Sequence, residues 1–206
     1  MRSAVCTALG RVELVDAPRP RIEHPRDVIV RVTATSICGS DLHMVQHPDM
    51  VGSPIGHECV GVVAEVGPAV EGLRPGQRVV APAAVWCGSC GECRRGNEAF
   101  CENGGIFGCG PEFGSLGGAQ SEWIRVPFAD LTLARIPDGV SDAQALAVGD
   151  ALSTGWAGVK RAVAAPAAVL LVLGCGPIGL SAVLTAKLHG VQHIVAVDLN
   201  AARRGL

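Results

Sequence analysis

At 206 residues the chain is long enough for one large domain, or for one domain with part of another. Of these residues 49% are apolar and 17% charged, ample for a buried core, and the formal charge of −2 gives no electrostatic reason to expect nucleic acid or an anionic membrane as partner. The opening MRSAVCTALGRVELVD lacks the basic flank and apolar stretch of a signal peptide, and the most apolar stretch, Val163 to Val183, is interrupted by Pro166, Gly174, Gly176, Pro177 and Gly179, which argues against a membrane-spanning helix. A soluble, cytoplasmic protein is expected.

In chain order, residues 1–150 read as a β-rich domain. Val28–Ala34, Cys59–Val66 and Gln77–Ala81 are β-branched runs bounded by glycine and proline, as short strands should be. Val66-Gly67-Pro68 and Arg74-Pro75-Gly76 signal turns, and a glycine-rich loop fills Asn103 to Gly118. Ser141–Leu152 has helix character, with Ser141 as N-cap. The grammar changes near Pro166, so residues 151–206 form a second region. There Ala168–Leu173 is an apolar run of strand length, GCGPIG follows, a helix spans Ile178–Leu188, Gly190 stops it, and Ile194–Asp198 makes the next strand. Strand, helix, strand at this spacing is a βαβ unit with a parallel pair. A second helix begins at about Ala201, and the sequence ends at Leu206. Doubly wound nucleotide-binding sheets have about six strands, so a two-stranded start is expected to be a fragment of a longer protein; a naturally short chain that pairs its edges with another chain is the alternative.

The chain has nine cysteines, four of them clustered within fifteen residues. Cys87, Cys90, Cys93 and Cys101 follow a C-x2-C-x2-C-x7-C spacing. In a reducing compartment such a cluster is metal-ligating rather than disulfide-bonded, and four thiolates give the closed tetrahedron of a structural zinc site. An iron–sulfur cluster is the rival reading; a nucleic-acid zinc ribbon lacks its basic surface. The loop Gly174-Cys175-Gly176-Pro177-Ile178-Gly179 follows an apolar strand and opens a helix, the context that gives GxGxxG its meaning. The first glycine allows the turn, the second lets backbone approach a pyrophosphate, and the third lets helix and strand pack. Asp198, nineteen residues past Gly179, ends the next strand, where an acid holds the ribose hydroxyls and repels a 2′-phosphate; NAD is therefore expected over NADP.

A further set is dispersed: Cys38 in CGSDLH, His57 and Glu58 in GHE, and Asp150 ahead of ALSTG. Taken singly, each is as readily a packed or hydrogen-bonded structural residue. In order with the cysteine loop and GxGxxG, however, they resemble the zinc-dependent medium-chain alcohol dehydrogenases, across residues 28–206. The resemblance implies a β-rich GroES-like catalytic domain followed by the first β-α-β unit of a Rossmann domain. It also implies a catalytic zinc on Cys38, His57 and Asp150, beside a structural one on the four cysteines. Many members place cysteine at the third ligand position, and Asp150 resembles the subset with aspartate. Glu58 would stand behind the metal, Ser40 would take the hydroxyl proton of an alcohol, His43 would relay it toward solvent, and Asp41 would orient the His57 ring. Thr154 would lie near the nicotinamide and Arg203 near the adenosine ribose. The implied activity is zinc-dependent, NAD-linked oxidation of a small-molecule alcohol to an aldehyde or ketone, with a homo-oligomer for the full-length parent. The other reading is a zinc-stabilised chain with little dehydrogenase activity of its own. A non-zinc quinone reductase of the same superfamily is excluded by the ligand set.

Overall fold

The computed structural model describes residues 1–163 and 169–206, in two compact units, Met1–Leu146 and Ala147–Leu206. Unit one is built from strands β1 (Arg2–Ala8), β2 (Arg11–Asp16), β3 (Val28–Thr35), β4 (Cys59–Val66), β5 (Arg78–Ala81), β6 (Ala84–Val85), β7 (Gly105–Ile106), β8 (Trp123–Val126) and β9 (Ala134–Arg135), with short helices α1 (Gly39–Met44), α2 (Gly91–Arg94), α3 (Ala129–Thr132) and α4 (Asp142–Leu146). Strands β8-β3-β4-β5-β9 make one antiparallel sheet, while β1 and β2 form a separate hairpin and β6 pairs with β7. The three β-branched runs of the sequence are its central strands.

Alternation along these strands sends side chains to opposite faces. Val28, Val30, Val63, Val79, Ile124 and Val126 meet Phe107 in the main core, while Val60 and Val80 pack with Ile136 and with Ala145 of α4 on the other side. The region between Asn103 and Gly118 is not only loop: it contributes β7 and a 3-10 turn at Pro111–Phe113, and it buries Phe107 completely. The expected helix over Ser141–Leu152 divides. Ser141 caps α4, its hydroxyl accepting the Gln144 N–H while the Gln144 side chain accepts the Ser141 N–H. The helix tightens into a 3-10 turn at Ala147–Gly149 and then breaks at Asp150, whose φ of −144° and ψ of −70° are not helical. Gly149 and Asp150 are both weak in helix interiors, and the aspartate starts a new helix instead.

Unit two consists of α5 (Ala151–Ala162), β10 (Val169–Leu173), α6 (Pro177–Leu188), β11 (His193–Val197) and α7 (Ala201–Arg204). β10 and β11 are parallel, joined by α6. Pro166 and Ala168, which belong to the expected change of grammar and the expected strand, lie outside the described residues. Helices α5 and α6 approach closely: a Cβ at Gly155 would fall 2.7 Å from the Ala182 nitrogen and from Ser181 Cβ. Trp156 and His189 extend that contact, with ring centroids 4.3 Å apart. On β10, Val172 is buried while Val169, Leu171 and Leu173 are exposed. Among the described residues no helix is long and apolar enough to cross a membrane.

Candidate functional site

Cys38 is the N-cap of α1, and the local sequence explains why the chain turns there. The Asp41 carboxylate reaches back to accept the Cys38 backbone N–H at 2.9 Å, satisfying one of the donors that a helix start leaves open. The other carboxylate oxygen of Asp41 lies 3.2 Å from His57 Nδ1, and both residues are 4% exposed. One aspartate thus caps the helix that presents Cys38 and fixes the ring of His57. The opposite ring nitrogen, Nε2, faces Ser40 Oγ at 3.3 Å, and that hydroxyl also stands 3.1 Å from Cys38 Sγ. Glu58, buried at the entry to β4, accepts the Ser36 hydroxyl. Ligand atoms of Cys38, His57 and Glu58 lie within 4.8 Å of one another. A soft sulfur, an imidazole nitrogen and a carboxylate at that spacing are a donor set that zinc accepts. His43 is exposed in the last turn of α1 and lines a cavity of about 260 Å³ with His47, Met50, Cys109 and Phe113.

The four-cysteine loop gathers as its spacing requires, with the Sγ atoms of Cys87, Cys90, Cys93 and Cys101 within 4.8 Å of one another. Hydrogen-bond donors point at the sulfurs. Cys87 Sγ accepts from Asn103 Nδ2 at 3.5 Å and from the backbone of Ser89 and Cys90 at 3.4 and 3.3 Å. Cys101 Sγ accepts the Cys87 N–H at 3.2 Å, and Cys90 Sγ the Cys93 N–H at 3.5 Å. The Asn103 amide, seconded by the Ser89 N–H, draws the Cys87 thiol down to about 5. The Cys93 N–H lowers Cys90, while desolvation and the neighbouring Cys90 sulfur push Cys93 up to about 12. Thiolates crowded this closely repel one another, and a divalent cation at their centre would relieve that repulsion. The residues fit a closed zinc site.

In unit two the glycine loop is packed tightly on one side and open on the other. Gly174 turns with φ +98°, and a Cβ at Gly179 would lie 1.8 Å from the Gly174 carbonyl oxygen, so the helix can pack there only without one. At Gly176, by contrast, nothing lies within 4 Å of where a Cβ would stand. That open side is at the N-cap of α6, with Pro177 and the exposed Ile178 following in the first turn. Asp198 Oδ2 accepts the Cys175 N–H and Oδ1 the Asn200 N–H, both at 2.7 Å. These two donors, that of Asn200 foremost, hold the carboxyl below the usual range. Arg203 Nη1 is 3.9 Å from Asp198, and Arg204 donates to the Asp198 carbonyl at 2.7 Å. Asp150 is the N-cap of α5, and the Thr154 hydroxyl donates to its carboxylate at 2.9 Å.

Three residues beyond those expected take part. Ser36 holds Glu58, Asn103 holds Cys87, and Gln120 donates from Nε2 to Asp41 Oδ2 at 3.2 Å and to the Ser36 carbonyl at 3.3 Å.

Comparison with known proteins shows the family to which the chain belongs. Residues 24–138 match the alcohol dehydrogenase GroES-like domain family. A medium-chain reductase/dehydrogenase of Acremonium sp is 37% identical over 100% of the chain and 72% of its own length. An uncharacterized zinc-type alcohol dehydrogenase-like protein of Bacillus subtilis is 38% identical over 96% of the chain and 56% of its own. Among solved structures, the alcohol dehydrogenase TADH from Thermus sp. ATN1 superposes with a TM-score of 0.93 at 41% identity, over 98% of this chain and 59% of that one. The chain therefore spans little more than half the length of the latter two proteins.

Proposed function

Because the chain belongs to the zinc-type medium-chain alcohol dehydrogenases, we propose that it carries the catalytic part of an NAD-linked oxidation of a small alcohol to an aldehyde or ketone. The observation that carries this reading is the placement of Ser40 Oγ against both Cys38 Sγ and His57 Nε2, beside the buried Glu58. Cys38, His57 and Asp150 would hold one zinc, and Cys87, Cys90, Cys93 and Cys101 the other. The first zinc supplies Lewis acidity that makes an alcohol hydroxyl easier to deprotonate, and NAD supplies the hydride acceptor.

The chain's own groups do the remainder. Ser40 Oγ would receive the hydroxyl proton as it hands its own on to His43, and the exposed His43 would then release one to water. Asp41, paired with His57 Nδ1, keeps the Nε2 side of that ring aimed inward. Thr154, whose hydroxyl holds the Asp150 carboxylate, fixes that ligand in the same way. The loop of Gly174, Gly176 and Gly179 would take the pyrophosphate at the α6 N-terminus, with Asp198 on the ribose hydroxyls and Arg203 beside them.

The second reading, a zinc-stabilised chain with little turnover of its own, draws on the two-stranded sheet of unit two with its exposed Leu171 and Leu173. Zinc content per chain, measured beside NAD-dependent alcohol oxidation on the same sample, separates the two. Two zincs with turnover is the expected result. Two zincs without turnover favours the second reading, and a single zinc that Cys87→Ser abolishes overturns the first.

A further inference from the structure

We propose that Gln120 is a positioning residue for the Cys38–His57 centre, its side-chain amide holding Asp41 so that His57 and Cys38 keep their ligating pose. The inference rests on the reading above that Cys38 and His57 hold zinc.

Asp41 is a buried carboxylate asked to do two things at once. Its Oδ1 faces the His57 ring at 3.2 Å, and its Oδ2 accepts the Cys38 N–H at 2.9 Å. A buried carboxylate is costly unless its lone pairs are matched by donors, and an imidazole with one backbone N–H leaves acceptor capacity over. Gln120 Nε2 supplies the further donor at 3.2 Å, and its second proton goes to the Ser36 carbonyl at 3.3 Å. Ser36 is the residue whose hydroxyl holds Glu58. One amide thus ties the segment leading into Cys38 to the aspartate that follows it.

The amide is itself held from behind. The Gln120 backbone N–H donates to the Ile55 carbonyl at 3.1 Å, and its carbonyl accepts the Ala4 N–H at 2.9 Å. Space for its side chain is reserved by the residue before His57: Gly56 has φ +87°, and a Cβ there would lie 2.4 Å from Gln120 Cγ. Gln120 is anchored to the strand-like segment just ahead of the ligand histidine while its amide reaches the aspartate on the other side. A glutamine that merely tied a surface loop would need neither the two separate acceptors nor the vacated Gly56.

The test is a chelator titration of the intact zinc-loaded chain, following both zincs, with Gln120→Leu, Asp41→Asn and the double substitution. The four-cysteine zinc serves as internal reference for folding. Gln120→Leu is expected to weaken retention of the Cys38–His57 zinc about tenfold and leave the other unchanged, as outer partners of metal ligands commonly do. In the Asp41→Asn background the same substitution is expected to add less than about twofold, since the two act in one chain of contacts. Gln120→Asn, which keeps the amide but is one methylene short, is expected to fall between and guards against a leucine that disturbs folding. Equal loosening of both zincs, or full additivity with Asp41→Asn, would assign Gln120 to general fold support and overturn the proposal. If the unsubstituted chain retains two zincs and Gln120→Leu matches it, this proposal alone falls. If the unsubstituted chain retains zinc only on the four cysteines, the reading of the Cys38–His57 centre falls and takes this one with it.

Discussion

Single residues in this chain hold two tasks each, and Asp198 shows how these can be separated. Its carboxylate organises the glycine loop through the Cys175 and Asn200 amides, and in the proposed function it also receives the ribose hydroxyls. Replacement by asparagine keeps an acceptor oxygen but removes the charge that repels a 2′-phosphate. Asp198→Asn should weaken NAD about tenfold, by loss of a charged hydrogen bond, and should raise the affinity for NADP relative to NAD; competitive binding of the two nucleotides reads both. The pH dependence has a defined sign. Because the backbone amides depress the folded pKa of Asp198, its contribution to stability is complete above the unfolded carboxylate value near about 4 and is lost as pH falls through the folded value. The difference in melting temperature between wild type and Asp198→Asn should therefore be flat from about pH 8 to about pH 5 and shrink below about pH 4. A difference that grows in acid would contradict the assignment. At this scale the sequence was readable where partners are local, and the four cysteines announce themselves by spacing. Gln120 and Ser36 did not, because 84 residues separate them and only the tertiary fold brings them together. Asn103, 16 residues from Cys87, has no pattern that marks it as a donor to sulfur.

Elements were legible in proportion to how far their own sequence decides them. Cys59–Val66 forms a strand with the bounds its β-branched run suggests, since both its faces are covered and the run needs no partner to be recognised. The β1–β2 hairpin left a weaker mark because β2 alternates between exposed and half-buried positions. Asp150 broke the expected helix because the residue serves as the N-cap of α5 as well as carrying a carboxylate. The strand–loop–helix turn in unit two gives the sharpest element-scale prediction, since its second and third glycines differ in what a methyl would meet. Gly179→Ala drives a Cβ into the Gly174 carbonyl and should destabilise the unit by about 1–3 kcal/mol, the usual range for overpacking. Gly176→Ala meets open space on a backbone with φ −75°, so it should leave the melting temperature unchanged. If that open side is where pyrophosphate approaches, Gly176→Ala should nevertheless lose NAD affinity. Titration with NAD beside thermal melts distinguishes a fold glycine from a ligand glycine, and retention of full affinity by Gly176→Ala would move the cofactor elsewhere.

Across the molecule, stability is drawn from unlike sources in neighbouring parts. The sheet of unit one rests on apolar packing, with Val28, Val30, Val126 and Phe107 fully or almost fully buried. Past the buried Cys87 the loop to Cys101 has nothing comparable: α2 and the 3-10 turn at Glu98–Phe100 bury no residue, and Phe100 is 75% exposed. Its attachment to the sheet is polar, through Arg26, which pairs with Asp130 through two 2.9 Å contacts and donates to the Cys87 carbonyl at 3.1 Å. A loop of this kind loses more conformational entropy on ordering than so few contacts repay, whereas zinc on four thiolates contributes on the order of 10 kcal/mol in small peptides. The loop should consequently be ordered by its metal and the sheet should not. A strong chelator is expected to open the exposed Arg94–Arg95 bonds to trypsin within the time in which the zinc-loaded chain resists. Slow amide exchange at Val30, Val63 and Ile124 should persist through the same treatment, because those amides belong to a core that no metal holds. Loss of protection at those three residues would mean that zinc supports the whole of unit one. Continued resistance at Arg94–Arg95 after the zinc is gone would mean that the Arg26 anchor and the short helices suffice without it.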